Sequence, residues 1–285
     1  GLFMYNCGLI LEGGGMRGVY TAGIIDYFLE KGLEFSSVYG VSAGSINGLN
    51  FAAKQKNRGV RDFIWFRDDD RYCGLNYWLK TGDYFNNEFV YGEVPNAVDP
   101  VDYDAVKNNP MKFYAVVSNT KTGRREYIPI TDAKNQVDYI RASCSLPILT
   151  KPVEIGDKTY MDGGICDSIP LEKSEFDGNE KNVVILTQHR EFVKKPTENM
   201  SVIRKMYSEY PNFIHALETR HEMYNRQRRH VFRQEKQGKA FVILPSHPVD
   251  IDRMEHDAGK LWMWYAEGKK DAAASYDRLI EYLNK

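Results

Sequence analysis

The chain has 285 residues, 42% of them hydrophobic and 27% charged, a composition that excludes a disordered chain and is enough to bury the core of a large α/β unit. Its 38 Lys plus Arg nearly cancel its 39 Asp plus Glu, so no global field recruits nucleic acid or an anionic membrane. No apolar run approaches the roughly 18 residues of a transmembrane helix, the N-terminus shows no charged-then-apolar export pattern, and Cys7, Cys73, Cys144 and Cys166 have neither C-x-x-C nor metal-ligand spacing; the expectation is a cytoplasmic protein with reduced thiols and no bound metal.

The first 50 residues contain one unit twice. CGLIL (7–11) reads as a short strand, GGGMRG (13–18) as a glycine turn, and VYTAGIIDYFLEKG as an amphipathic helix stopped by Gly32. SSVYGV (36–41) repeats the strand, followed by a turn and the helix SINGLNFAAKQ. Strands alternating with helices at this interval predict βαβ units, hence a parallel sheet covered by helices on its faces. Residues 61–98 are irregular and aromatic, and are read as helices and loops able to form the apolar wall of a site. FYAVVSNTKTGRREYIPI (113–130) predicts a β-hairpin turning at Thr122-Gly123. A helix over 132–143, a strand at 158–164 and a last core strand at 183–188 complete residues 1–199, the predicted catalytic core. Residues 200–285 are read as a mostly helical extension packed on it, with a helix over 201–236 broken near Pro211, the strand-like AFVILP (240–245) and a helix over 269–284. Arg226, Arg228, Arg229 and Arg233 are read as a solvated helix face in preference to a headgroup site.

Three motifs carry chemistry. Gly40-Val41-Ser42-Ala43-Gly44 has the G-x-S-x-G spacing of a nucleophile elbow, in which flanking glycines leave room for a strained, exposed serine. Gly13, Gly15 and Gly18 fit the G-x-G-x-x-G dinucleotide fingerprint. That reading, however, requires an acidic residue ending the second strand, where Ser42 stands instead; Glu34 lies before it. The same glycine backbone can instead aim main-chain N–H groups at a developing oxyanion. Consecutive parallel strands are usually neighbours, so the 13–18 and 40–44 loops should emerge side by side.

A serine needs a base. All six histidines, His189, His215, His221, His230, His247 and His256, lie in the second half of the chain. His189, after a core strand, is the best placed of them, although the elbow arrives too early in the chain for an α/β-hydrolase order. HEMYN (221–225) misses H-E-x-x-H. Asp162-Gly163-Gly164 offers a carboxylate at a strand end that could take the serine proton directly.

EGGGMRG, YGVSAGS and YMDGG, in that order and spacing, together resemble the patatin-like phospholipases, bacterial members especially, over roughly residues 7–190; RASCSLPILTKPVEI (141–155) is similar to the stretch before that family's aspartate. The resemblance implies a three-layer α/β/α sandwich with a mainly parallel central sheet plus C-terminal helices, and a serine lipid acyl hydrolase of phospholipase A or esterase type that needs no metal or organic cofactor. By matching position it implies Ser42 as nucleophile and Asp162 as base. It implies an oxyanion hole in the loop Gly13, Gly14, Gly15, Met16, Arg17 and Gly18, its donors being the N–H groups of Gly14, Gly15 and Met16, with Gly40, Gly44, Gly163 and Gly164 shaping the turns. The implied partner is a lipid ester met at a membrane surface in transient contact. A Ser-His-Asp triad esterase, or a non-catalytic lipid- or dinucleotide-binding protein, are the alternatives.

Overall fold

Alternate residues of the central strands feed two separate cores. In β1 (Met4–Leu11), Leu9 and Leu11 pack to one side and Ile10 to the other; in β2 (Glu34–Val41), Val38 and Tyr39 divide the same way. Period-two alternation in strands that are apolar on both faces requires helices above and below. The computed structural model, which describes residues 4–65 and 73–285, has that arrangement. One face is covered by helix α1 (Gly18–Glu30), helix α2 (Ala43–Ala52) and the C-terminal helix Ala258–Leu283. The other is covered around Tyr224 and Val231 of the long helix Pro211–Lys236 and around Leu171.

The remaining strands are β3 (Lys112–Asn119), β4 (Arg124–Pro129), β5 (Val153–Ile155), β6 (Lys158–Asp162), β7 (Asn182–Ile185) and β8 (Ala240–Ile243). β3, β2, β1, β7 and β8 are parallel neighbours in that order, and β4, β5 and β6 are added antiparallel. The fold is therefore the expected three-layer sandwich.

The placement of β6 decides where the site forms. β4 runs along β3 from Tyr114 to Asn119, whereas β2 pairs with β3 only from Lys112 to Val116 and β6 only from Val117 to Asn119. A strand has two hydrogen-bonding edges. Since β4 overlaps both, β2 and β6 share the opposite edge end to end. Val41 faces Val116 and Asp162 faces Val117, so the last residue of β6 meets the point where the chain leaves β2 for Ser42.

The expected elements exist with shifted bounds. The hairpin turns at Gly123 (φ 66°) as expected. The helix expected over 132–143 is confined to Val137–Ser143, because the Gln136 side chain accepts from the N–H groups of Thr131 and Asp132 and holds a turn ahead of it. The helix expected over 201–236 is two helices, Met200–Met206 and Pro211–Lys236, with the proline in the first turn of the second. The C-terminal helix starts eleven residues before the expected 269, at Ala258, where the Asp257 carboxylate accepts from the N–H groups of Gly259 and Lys260. Within the irregular 61–98 segment, helical turns form at Arg61–Trp65, Leu75–Thr81 and Phe89–Val98, and residues 66–72 lie outside the described residues. Among the described residues no helix is long and apolar enough to cross a membrane.

Candidate active site

Ser42 sits at φ 55°, ψ −125°, a region non-glycine residues rarely occupy and one that costs on the order of 1–3 kcal/mol. The turn is possible because both flanking glycines are pressed against backbone. A Cβ on Gly40 would stand 2.5 Å from the Gly44 carbonyl oxygen, and one on Gly44 would stand 2.3 Å from the Leu11 carbonyl oxygen. A hydrogen-bond chain holds the strained residue: the Ser42 N–H donates to Ser143 Oγ at 2.8 Å, which donates to the Val116 carbonyl at 2.6 Å, and Ser45 Oγ donates to the Ser42 carbonyl at 2.7 Å. Ser143 thus fills the junction between the ends of β2 and β6. It stands inside the quoted 141–155 stretch, yet nothing in the spacing of that stretch assigns it this contact.

Ser143→Ala is expected to strand the buried Ser42 N–H. The cost should be about 1–3 kcal/mol of stability, accompanied by a fall in esterase turnover as the elbow relaxes. Urea unfolding and kcat measured on the same preparation check it; an unchanged midpoint and turnover would count against the bridge.

Asp162 is 2% exposed and closes β6. Its Oδ1 accepts from the Gly164 N–H at 2.7 Å, the turn the double glycine allows. Burial raises its pKa above the usual aspartate range, opposed by the Arg220 guanidinium, the Gly164 N–H and the Ser42 hydroxyl. A carboxyl pushed in that direction is a better proton acceptor when ionised than a solvated aspartate.

Both side chains open onto one cavity of about 140 Å³, together with Gly13, Gly14, Gly15 and Arg17. The glycine loop is pinned beside the serine: a Cβ on Gly13 would stand 2.8 Å from Ser42 Cβ, and Thr187 Oγ1 donates to the Gly13 carbonyl at 2.6 Å. Gly14 (φ 139°) and Gly15 (φ 60°) take conformations a side chain would strain. Met16 departs from expectation. Its N–H donates to the Arg253 carbonyl at 2.9 Å and its side chain is buried in the core, so this donor is already committed. Among the described residues, the N–H groups of Gly13, Gly14 and Gly15 make no such intramolecular bond.

None of the six histidines lines the cavity. His189 packs edge-on to Phe192, with its Nδ1 buried and without a partner among the described residues. His230 pairs with Glu175 at 2.6 Å, and His247 lies against the Trp264 ring. The four arginines of the long helix do not form one surface either. Arg226, Arg229 and Arg233 are exposed, while Arg228 is buried against the rings of Phe192, Tyr224 and Phe232 and donates to the His189 carbonyl. Glu34, the one acid near the second strand, starts β2 and pairs with Lys54.

Three cationic residues of the cavity went unnoticed in the sequence: Lys194, Arg220 and Arg253. They lie in three segments spread over about sixty positions and fit no motif; only the fold brings them together.

A mainly parallel three-layer sandwich with a strained serine and a buried aspartate at adjoining strand ends defines the class, and comparison with known sequences gives the family. Residues 9–173 match the profile of the patatin-like phospholipases, and residues 210–284 match a domain of unknown function (DUF6363). The chain belongs to the patatin-like phospholipase family. It is similar to the uncharacterized protein YjjU of Escherichia coli (26% identical over 184 residues, 63% of this chain and 51% of that protein). It is similar also to the uncharacterized NTE family protein MT2641 of Mycobacterium tuberculosis (27% over 195 residues, 66% and 31%) and to lysophospholipase nte1 of Aspergillus niger (28% over 180 residues, 59% and 11%). The aligned part thus spans about half or less of the length of these relatives. The crystal structure of VipD from Legionella pneumophila superposes with a TM-score of 0.46 at 12% identity, covering 98% of this chain and 67% of that one.

Proposed function

We propose that the chain is a serine acyl hydrolase that cleaves carboxylic esters of lipids through a Ser42-Asp162 dyad. The observation that carries this reading is the end-to-end placement of β2 and β6 on one edge of β3, which delivers Ser42 and Asp162 to the same small cavity beside a glycine loop with unused N–H groups. Ser42 Oγ attacks the ester carbonyl carbon while its proton passes to the Asp162 carboxylate. The tetrahedral oxyanion is held by loop N–H groups, Gly14 and Gly15 foremost now that Met16 is committed elsewhere. Collapse expels the alcohol, which takes the proton from Asp162, and leaves an acyl-Ser42 ester. A water deprotonated by the same aspartate then attacks that ester, releasing the fatty acid and restoring the Ser42 hydroxyl.

The acyl chain is expected to run along the apolar residues of the 61–98 segment, of which Phe63, Val90, Tyr91 and Val94 line a small cavity of about 60 Å³ under α2 together with Ile46 and Leu49. Residues 1–199 then form the catalytic core. Residues 200–285 complete it, since Arg220 and Arg253 reach the Ser42 cavity.

The test is covalent. An alkyl fluorophosphonate, which phosphonylates an activated serine, should label the wild type at Ser42 with one equivalent and leave Ser42→Ala unlabelled, with hydrolysis of a medium-chain nitrophenyl ester falling to background in parallel. Labelling at another serine, or undiminished ester hydrolysis by Ser42→Ala, would sink the assignment.

A further inference from the structure

The Ser42 cavity holds more positive charge than ester hydrolysis needs. Arg17 enters it from the glycine loop, Lys194 from the segment after β7, Arg220 from the long helix and Arg253 from the segment before the C-terminal helix. The carboxylates lining the cavity with these four cations are Asp162 and Glu12, and Asp252 adds its charge near Arg17 from outside the lining. Asp162 is held by the Gly164 N–H, and Glu12 accepts from the Thr187 N–H at 2.9 Å and from the hydroxyls of Thr187 and Tyr224. Neither is in salt-bridge contact with any of the four cations among the described residues. The buried Nε atoms of Arg17 and Arg220 have no hydrogen-bond partner among the described residues, and Lys194 Nζ rests over the Tyr224 ring, 5.4 Å from its centre. Arg220 Nη2 lies directly over the Asp-Gly-Gly turn, 2.8 Å from where a Cβ on Gly164 would stand.

Clustering cations in a half-enclosed site without matching acids is costly unless an anion arrives to pair with them. The cost is visible on the cations themselves. Burial, then the proximity of Arg220 and Arg253, pulls Lys194 down to about 7, and burial together with Arg253 pulls Arg220 down to about 10. Three of the four residues lie beyond residue 173, where the family match ends, and two of them, Arg220 and Arg253, are supplied by the C-terminal extension to a site that the core builds.

We propose that the cluster formed by Arg17, Lys194, Arg220 and Arg253 is a phosphate-recognition subsite, and that the preferred ester carries a phosphate monoester on its alcohol side, as a lysophosphatidate-type lipid does. This rests on the hydrolase reading above for the ester, though not for the anion. Guanidinium groups suit phosphate because their planar fork matches its oxygens. The monoester is favoured over a zwitterionic headgroup on two grounds. Its second negative charge answers a cluster with more than one uncompensated cation, and a choline or ethanolamine would carry another cation into the same crowded site.

The experiment uses the full chain carrying Ser42→Ala and titrates it calorimetrically with short-chain, non-hydrolysable ether ligands kept below their aggregation concentration. These are an alkylglycerol phosphate, the same alkylglycerol without phosphate, its phosphocholine form, and inorganic phosphate alone. The alkylglycerol phosphate is expected to bind about ten- to a hundredfold more tightly than either ether analogue and more tightly than inorganic phosphate. Adding Lys194→Gln or Arg253→Gln should weaken it by about tenfold with little change for the uncharged ether. Equal binding of the phosphate and phosphate-free ethers overturns the proposal. Inorganic phosphate binding as tightly as the lipid phosphate overturns its lipid part and leaves a site for free phosphate. In the wild-type enzyme, kcat/KM for lysophosphatidate relative to the matching monoacylglycerol should exceed one by a similar factor and fall toward one in either variant. A protein that binds the phosphate ether selectively yet turns over neither ester keeps the subsite and loses the hydrolase reading.

Discussion

Replacing Asp162 by Asn is expected to lower kcat for ester hydrolysis by about 10³- to 10⁴-fold, the scale of losing a general base that acts in both half-reactions. The protein should still fold, because an Asn oxygen can accept from the Gly164 N–H that now bonds to Asp162 Oδ1 at 2.7 Å. His189→Gln, by contrast, should keep the parent's activity, since that ring packs on the cavity residue Phe192 without itself lining the cavity. The wild type's pH profile carries a second signature. The working species is the ionised carboxylate, and burial raises the Asp162 pKa, so activity should be lost on acidification at a pH above the ordinary aspartate value of about 3.9. The same shift works against the fold: a carboxyl with a folded-state pKa above its unfolded one contributes stability below the unfolded value and loses it as pH rises through the folded value. The charge used in catalysis is the one folding disfavours. Substantial turnover by Asp162→Asn, or an acid limb that disappears with a histidine, would transfer the base to another residue.

Local patterns in the sequence were enough to place the glycine loop, the elbow and the Asp-Gly-Gly turn at strand ends, because each is set by a few adjacent residues with strict backbone demands. They could not say that β6 continues β2 along the same edge of β3. That depends on a register between residues about 120 positions apart, and on Ser143 bridging the gap. The fate of the Met16 N–H was hidden for the same reason, since its acceptor is the carbonyl of Arg253, a residue in a loop with no motif. The cation cluster was less legible still. The eye is drawn to Arg226, Arg228, Arg229 and Arg233, adjacent in sequence, whereas helical geometry sends Arg228 into the core and the other three to solvent. Of the cations that reach the cavity, Arg17 lies in the glycine loop, while Lys194, Arg220 and Arg253 belong to no motif. The early start of the C-terminal helix was obscured by Gly259 and Gly268, residues that weaken an isolated helix and are accepted here for the cap and for packing.

Gly268 leads to the second large effect, at a position outside the active site. It lies on the C-terminal helix where a Cβ would stand 2.0 Å from the Tyr20 carbonyl oxygen of α1. Gly23 of α1 makes the reciprocal approach, its added Cβ standing 2.2 Å from the Tyr265 carbonyl oxygen. Two backbones this close cannot be relieved by rotating a side chain, so the helices must separate. Separation breaks a set of buried contacts that includes the Tyr20–Asp271 hydrogen bond at 2.7 Å, the Tyr265–Asp26 hydrogen bond and the Tyr20–Trp264 ring contact. Overpacking alone typically costs about 1–3 kcal/mol, and losing these contacts adds to it. Gly268→Val is therefore expected to destabilise the chain by about 3 kcal/mol or more, with Gly268→Ala intermediate because better helix propensity returns roughly 1 kcal/mol. Activity should fall with stability, for a geometric reason. α1 begins at Gly18, directly after the glycine loop, and the segment leading into the C-terminal helix holds that loop through the bond from Met16 N–H to the Arg253 carbonyl. Moving one helix against the other pulls the loop from both ends. Urea midpoints and fluorophosphonate labelling rates of Gly268→Ala, measured where the protein is still folded, separate the two consequences. A destabilised variant that labels Ser42 at the wild-type rate would show that the loop is positioned by β1 and Thr187 alone.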